Sequence, residues 1–266
     1  MITVFRTSDT LRCMVVGGPV TPNMAAPTEL IIRCRPLSNS AFWAQSLGQT
    51  INRVTVGDWN GFKLNSLASA RIRSGVRSWE IDRLHLADLN QASEILEPAV
   101  YSAGLRGAER VFLRVPYNSE LTNHARKIGF FPYFNETHLV GKGAQINTKV
   151  NNFSVGNRTP ADQQGLFQLY CAATPNEVRQ GIGMTLDQWQ DSQESPQVHQ
   201  NESVLKSEGR ILGWQKFESF GKATAAQTLG HPGYPDVTRY MLGVYYQSQN
   251  WLVPNYQPHV AELLEQ

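Results

Sequence analysis

Little in this chain of 266 residues points to a metal, a disulfide framework or a membrane span. Its three cysteines, Cys13, Cys34 and Cys171, are odd in number, far apart and without metal-ligand spacing, so reduced thiols are expected and no metal site is. Charge of one sign is also scarce. The 24 basic residues exceed the 22 acidic ones by two, and no basic run gathers that excess into a phosphate-binding stripe, so no nucleic-acid partner is expected. No stretch reaches the roughly 20 apolar residues that a spanning helix needs. The start lacks a charged leader with an apolar run, and the cytoplasm is the expectation by default. Motifs for a serine-hydrolase elbow, a Walker loop, a zincin helix and an EF-hand are all missing.

What is present is ample material for a core. Apolar residues make up 41% of the chain and charged ones only 17%, a globular composition, and the length accommodates two domains. Residues 1–27 carry Gly17, Gly18, Pro19, Pro22 and Pro27 among short apolar pieces, predicting a loose arm or short edge strands. Alternation predicts strands over 29–35 and 51–56, with a turn at 58–61. From Arg77 to Leu86 the chain reads as a central strand, with Trp79, Ile81 and Arg83 on one face and Glu80, Asp82 and Leu84 on the other.

A helix follows through Ile95, Leu96, Ala99, Val100 and Ala103, complicated by Pro98, then a strand at 111–115 and a helix from Asn118 to Ile128 closed by Gly129. An extended aromatic segment over 130–140 and a polar linker over 141–157 separate this half from the next. The second half reads as two helical pieces over 162–179, a short helix at 185–190, strands near 204–206, 211–217 and 223–229, and a helix over 236–246. A strand at 251–253 and a helix at 259–265 complete it. Both halves thus run strand, helix, strand, helix at their ends, and each later strand closes on Val-Pro, Val115-Pro116 and Val253-Pro254. The expected fold is α/β (α+β) with domains over 1–148 and 149–266.

The segments WEIDRL and GAERVFLRVPYNSELTNHARKIGF, ending on Gly129-Phe130, resemble the acetyl-coenzyme A binding half of GNAT (GCN5-related N-acetyltransferase) enzymes. LFQLYCAATPNEVR and GRILGWQKF resemble the paired helices and following strand that begin the same fold. The resemblance implies tandem, degenerate GNAT-like mixed-sheet domains and transfer of an acetyl or acyl group from acyl-coenzyme A to a small-molecule amine. A non-catalytic ligand- or protein-binding module is the alternative. The resemblance to the transferases places cofactor contacts at Leu84, Leu86, Asn90, Gln91, Ala92 and Asn118, and Glu80 or Glu136 as the base.

The family's phosphate loop, Gln/Arg-x-x-Gly-x-Gly/Ala, uses glycines so that amides at a helix start can approach a pyrophosphate. Here it reads Ala87, Asp88, Leu89, Asn90, Gln91, Ala92, and only Ala92 fits. Ala125 stands where the family often has an acid tyrosine. The second copy, Gly233 to Thr238, lacks the paired small residues as well.

Overall fold

The computed structural model of the chain describes residues 2–16, 21–33, 52–136, 153–194, 200–220 and 223–247. The chain divides into two compact units, one of Met1–Tyr133 with Asp187–Ser195, the other of Phe134–Leu186 with Pro196–Gln266. The stretch Asp187–Ser195 thus joins unit 1 although it lies far along the second half of the sequence.

Unit 1 is built on a five-stranded sheet in the order β1 (Ile2–Val4), β2 (Arg53–Asn60), β3 (Lys63–Ile72), β4 (Ser78–His85) and β5 (Arg110–Leu113). The first four strands pair antiparallel, while β5 lies parallel to β4. A parallel neighbour requires a crossover, supplied by α3 (Ala92–Gly104). Ile95, Leu96, Ala99 and Ala103 of this helix pack on Val54, Val56, Ala68 and Ala70, so the small residues of β3 leave room for the larger ones of the helix. Pro98 sits inside α3 without ending it. The missing hydrogen bond falls to the carbonyl of Glu94, an exposed residue whose surroundings water can reach.

Several sequence expectations change here for identifiable reasons. The arm contains the short strand β1 and also α1 (Thr7–Val16). Residues 28–33 form α2 (Thr28–Arg33) rather than a strand, and Arg35 lies outside the described residues. The helix starts by closing the amides of Leu30 and Ile31 on the Pro27 carbonyl, with Glu29 in its positive first turn. Strand β2 runs past the predicted turn to Asn60, and the reversal occurs at Gly61, whose φ of +56° suits glycine.

The central strand departs from strict alternation. Ala70 pairs with Ile81 and Ser69 with Arg83, leaving Asp82 as the extra residue of a bulge. The parity therefore flips there. Leu84 and Leu86 join Trp79 and Ile81 in the apolar core, while Glu80, Asp82 and Arg83 belong to the polar side. Helix α4 (Leu121–Lys127) starts three residues later than predicted and ends near Gly129, whose φ is +95°. No strand forms over 131–136, and residues 137–152, including most of the expected linker, lie outside the described residues.

Unit 2 carries an antiparallel sheet of β6 (Ser154–Asn157), β7 (Gln200–Ser207), β8 (Arg210–Phe220) and β9 (Ala223–Gly230). Between β6 and β7 come α5 (Gln163–Ala173), α6 (Asn176–Ile182) and α7 (Leu186–Asp191), with α7 passing into unit 1 at Asp187. Helix α8 (Pro235–Gln247) follows β9. Its Val237 and Met241 pack with Leu205 and Leu212 in the core. Gly213 makes that closeness possible, since a Cβ there would lie 2.7 Å from Val237 Cγ1. The strand and helix expected after residue 250 lie outside the described residues. Both units combine helices with a sheet, as the α/β expectation required.

Candidate functional site

The place where unit 1 could receive a ligand is the end of its parallel pair. Strands β4 and β5 stay in register from Ser78 and Arg110 to Ile81 and Leu113. Beyond that their facing edges are taken by another part of the chain, the irregular segment Thr21–Ala26. Asn23 Nδ2 donates to the Asp82 carbonyl at 2.9 Å, and the Leu84 amide donates to Asn23 Oδ1 at 2.8 Å. The Met24 amide donates to the Leu84 carbonyl at 2.7 Å, and the Ala26 amide to the Arg114 carbonyl at 2.9 Å. Two of the expected cofactor residues are affected. The backbone of Leu84 is engaged on both its amide and its carbonyl, and the Leu84 and Leu86 side chains lie in the core.

The loop that leads into α3 is likewise closed on itself. The Ala87 amide donates to Ser66 Oγ at 3.1 Å, and Ser66 Oγ donates to Gln91 Oε1 at 3.0 Å. Asp88 accepts the Asn90 amide at 3.0 Å and the Asn90 side chain at 3.1 Å. The amide of Gln91 closes on the Asp88 carbonyl and that of Ala92 on the Leu89 carbonyl. Asn90, Gln91 and Ala92 are thus brought together, but four amides of the loop have partners within the chain. A carboxylate also occupies the electropositive start of the helix, where an anionic ligand would otherwise be favoured. Asn118 is exposed in the turn before α4, at a φ of 61°, and Ser119 Oγ rather than Asn118 accepts from the first turn of that helix. Ala125 is buried.

On the polar side of the sheet the candidate base Glu80 is held by Arg71, with Nε 2.7 Å from Oε1. Arg71 also reaches Glu29 at 2.7 Å. Glu136 is exposed and belongs to unit 2, so the two candidate carboxylates fall in different units. Beside Glu80, Asp82 pairs with Arg53 through two hydrogen bonds. Burial alone would raise the carboxyl of Asp82, but the charge and hydrogen bonds of Arg53, helped by Arg71 and Arg83, hold it below the ordinary carboxylate range. Burial lowers the Arg83 guanidinium to about 10 against the opposing pull of Asp82. His85 is lowered too, chiefly by burial, although its Nδ1 lies 2.6 Å from the Thr21 carbonyl, an interaction that opposes the shift.

Sequence reasoning missed Asn23, Ser66 and the Arg53–Asp82 pair. The first lay in an arm where only loose structure was expected, although the prolines of Thr21-Pro22-Asn23-Met24-Ala25-Ala26-Pro27 do favour an extended chain. Ser66 lies 21 residues from the amide it binds, and the Arg53–Asp82 pair is visible only once the bulge is known. Cys13 is buried, and burial followed by the nearby Asp9 pushes its thiol up to about 12, whereas Cys171 is half-buried and Cys34 lies outside the described residues. In unit 2, β9 turns through His231 to Tyr234 into α8, and the amides of Gly233 and Tyr234 close on His231 Nδ1 and the His231 carbonyl. Among the described residues no group of acidic, histidine and cysteine side chains has the arrangement of a metal site, and no helix is long and apolar enough to cross a membrane.

A parallel pair parting around a crossover helix in the first unit, and a helix pair with antiparallel strands in the second, define a mixed α/β fold. No family model and no curated protein matches the sequence. Among solved structures, a conserved Enterococcus faecalis V583 protein described as a probable N-acyltransferase is similar at 10% identity and a TM-score of 0.46, over 94% of this chain and 63% of that one. A tandem GNAT protein of the clavulanic acid biosynthesis pathway is similar at 9% identity and the same TM-score, over 93% of this chain and 84% of that one. The C-terminal domain of a putative lysylphosphatidylglycerol synthetase from Agrobacterium fabrum gives 15% identity and a TM-score of 0.27, over 90% and 73% of the two chains. This chain therefore spans less than two thirds of the Enterococcus protein.

Proposed function

We propose that unit 1 is a GNAT-like module that binds a ligand or protein segment and has lost acyl-coenzyme A chemistry. One observation carries this reading: the amides of Ala87, Asn90, Gln91 and Ala92, at the start of the crossover helix, are engaged by Ser66, Asp88 and Leu89. A pyrophosphate would have to displace those bonds and face the Asp88 carboxylate, losing the preorganisation that makes a helix start an anion site. Glu80, bound into the arginine cluster, is likewise placed to hold Arg71 rather than to take a proton from an amine.

The acyltransferase reading, in which an acetyl or acyl group passes from acyl-coenzyme A to a small-molecule amine, is supported by element order in unit 2, where β9 leads through a short turn into the 13-residue α8. Calorimetric titration of the whole chain with acetyl-coenzyme A, together with free-thiol release in the presence of an amine panel, separates the two. The module reading expects neither heat nor thiol. Saturable binding abolished by crowding the loop of unit 1, as in Ala92→Trp, would overturn it; thiol release insensitive to that change would support transfer in unit 2.

A further inference from the structure

We propose that the gap between β4 and β5 is an acceptor slot for an extended peptide strand, and that Thr21–Ala26 fills it as a ligand supplied by the same chain. This deepens the binding-module reading and rests on it.

The slot follows from the sheet. From Asp82 to His85, β4 keeps its antiparallel neighbour, with Arg83 opposite Ser69, Leu84 opposite Ala68 and His85 opposite Leu67. Its other edge has parted from β5 and still needs hydrogen-bond partners, as any buried backbone does. The side chain of Asn23 answers that need as a peptide unit would. Its amide nitrogen donates to the Asp82 carbonyl, and its oxygen accepts the Leu84 amide, the pairing that a neighbouring strand offers. The same oxygen accepts the Ala25 amide at 3.1 Å, which fixes the side chain against its own backbone. Met24 then continues along β4 to the Leu84 carbonyl, and Ala26 crosses to the Arg114 carbonyl on the far bank.

Side chains supply the selectivity. Ala25 is 1% exposed and packs in the cluster that holds Leu84 and Leu86, so the slot accepts a methyl group there. No residue from Thr21 to Ala26 is charged, although Arg83 and Asp82 are adjacent in β4. The fitting occupant is therefore a neutral, extended segment with an asparagine two residues ahead of a small one. Thr21–Ala26 belongs to neither a helix nor a strand, and it touches the slot through a handful of named bonds. While it is in place, a second strand of the same kind is kept out.

The test uses the full chain and a labelled peptide with the sequence of residues 20–27. Asn23→Ala removes the peptide-like side chain, and Ala25→Asp expels the segment by putting a charge in the methyl pocket; neither alters β4 or β5. At least one of the two variants is expected to exchange its Leu84 amide proton tenfold or more faster than the wild type, and to bind the peptide at least tenfold more tightly. Peptide binding should restore the slow exchange, and a peptide with Ala in place of Asn should not. Unchanged Leu84 exchange in both variants, or equal peptide affinity for variants and wild type, would overturn the proposal. Unfolding of unit 1 in both would overturn it too, because the segment would then be an integral strand rather than an occupant. Coenzyme A binding by the wild type bears on the preceding reading alone, so the two failures are distinguishable.

Discussion

Arg53 and Asp82 meet through two parallel hydrogen bonds of 2.8 and 2.7 Å inside unit 1, each side chain nearly excluded from solvent at 7% and 2% exposure. The pair joins the first residue of β2 to the bulge residue of β4 across the intervening β3, whose Ser69 accepts a further bond from Arg53. A buried pair of this kind contributes modestly when intact, because desolvation offsets attraction, and costs heavily when halved.

Asp82→Asn should accordingly destabilise the protein by about 3 to 5 kcal/mol, since the guanidinium stays buried without its charge partner. Replacing both residues, as Arg53→Met with Asp82→Leu, should recover part of that loss. Urea midpoints of the two variants against wild type provide the measurement. Equal losses for the single and the double change would show that Asp82 acts by packing alone.

The acid side of the stability profile follows from the direction of three shifts. His85, lowered from 6.5 in the folded chain, stays neutral there while the unfolded chain takes up a proton, so stability declines as pH falls below 6.5. Asp82 and Glu194 are held below their ordinary values of 3.8 and 4.5, the latter because Arg73 and Arg114, with hydrogen bonds from Thr28 and Arg114, outweigh burial. Their stabilisation is present above those values and is lost as pH drops through the lowered ones. Tm should therefore fall between about pH 7.5 and about pH 5.5, and His85→Gln should flatten that part of the curve while leaving the decline below about pH 4.5 intact. A His85→Gln curve parallel to wild type over the upper range would assign the slope to other groups.

Much of the fold was legible because periodicity reports burial. Trp79 and Ile81, the stripe Ile95, Leu96, Ala99 and Ala103, and the three strands of the second half all appear where hydrophobic spacing put them. The misreadings have local causes. Thr28–Arg33 is too short for a helical period to show, and its start depends on the Pro27 carbonyl. The bulge at Asp82 moved Leu84 to the core face, and nothing in the residues around it marks an extra residue. The site was less legible still. The loop from Ala87 to Ala92 could be read as lacking glycines, but Ser66 and Asn23, which complete its closure and that of β4, are 21 and 61 residues from the groups they bind.

The stretch around Glu194 gives unit 1 part of its hydrogen bonding. Glu194 lies 3.3 Å from Arg73 and 3.1 Å from Arg114 and accepts from Thr28 Oγ1 at 2.5 Å. Nearby, Ser192 and Ser78 share a buried hydroxyl contact at 3.0 Å, and the amides of Ser74 and Gly75 donate to the carbonyls of Gln193 and Asp191. Glu194→Ala should cost about 1 to 3 kcal/mol, the usual penalty for removing a charged hydrogen-bond partner from a largely enclosed site. It should also speed amide exchange at Ser74 and Gly75 more than at residues of α3. Chemical denaturation with site-resolved exchange measures both, and uniform acceleration throughout unit 1 would count against a local anchoring role.

Gly213 offers the sharpest packing test in unit 2. An added Cβ would stand 2.7 Å from Val237 Cγ1 and 2.9 Å from Met241 Sδ, closer than nonbonded heavy atoms sit at rest. Gly213→Ala should therefore lose about 1 to 3 kcal/mol through overpacking between β8 and α8. Val237→Ala alone should lose stability through a cavity, but it clears the space that the new methyl group needs. The double change Gly213→Ala, Val237→Ala should thus cost less than the sum of the two single changes, with a coupling of at least about 0.5 kcal/mol. Strict additivity in a double-mutant cycle would mean that α8 moves away from the strand instead of resisting, and that the glycine is tolerated rather than required.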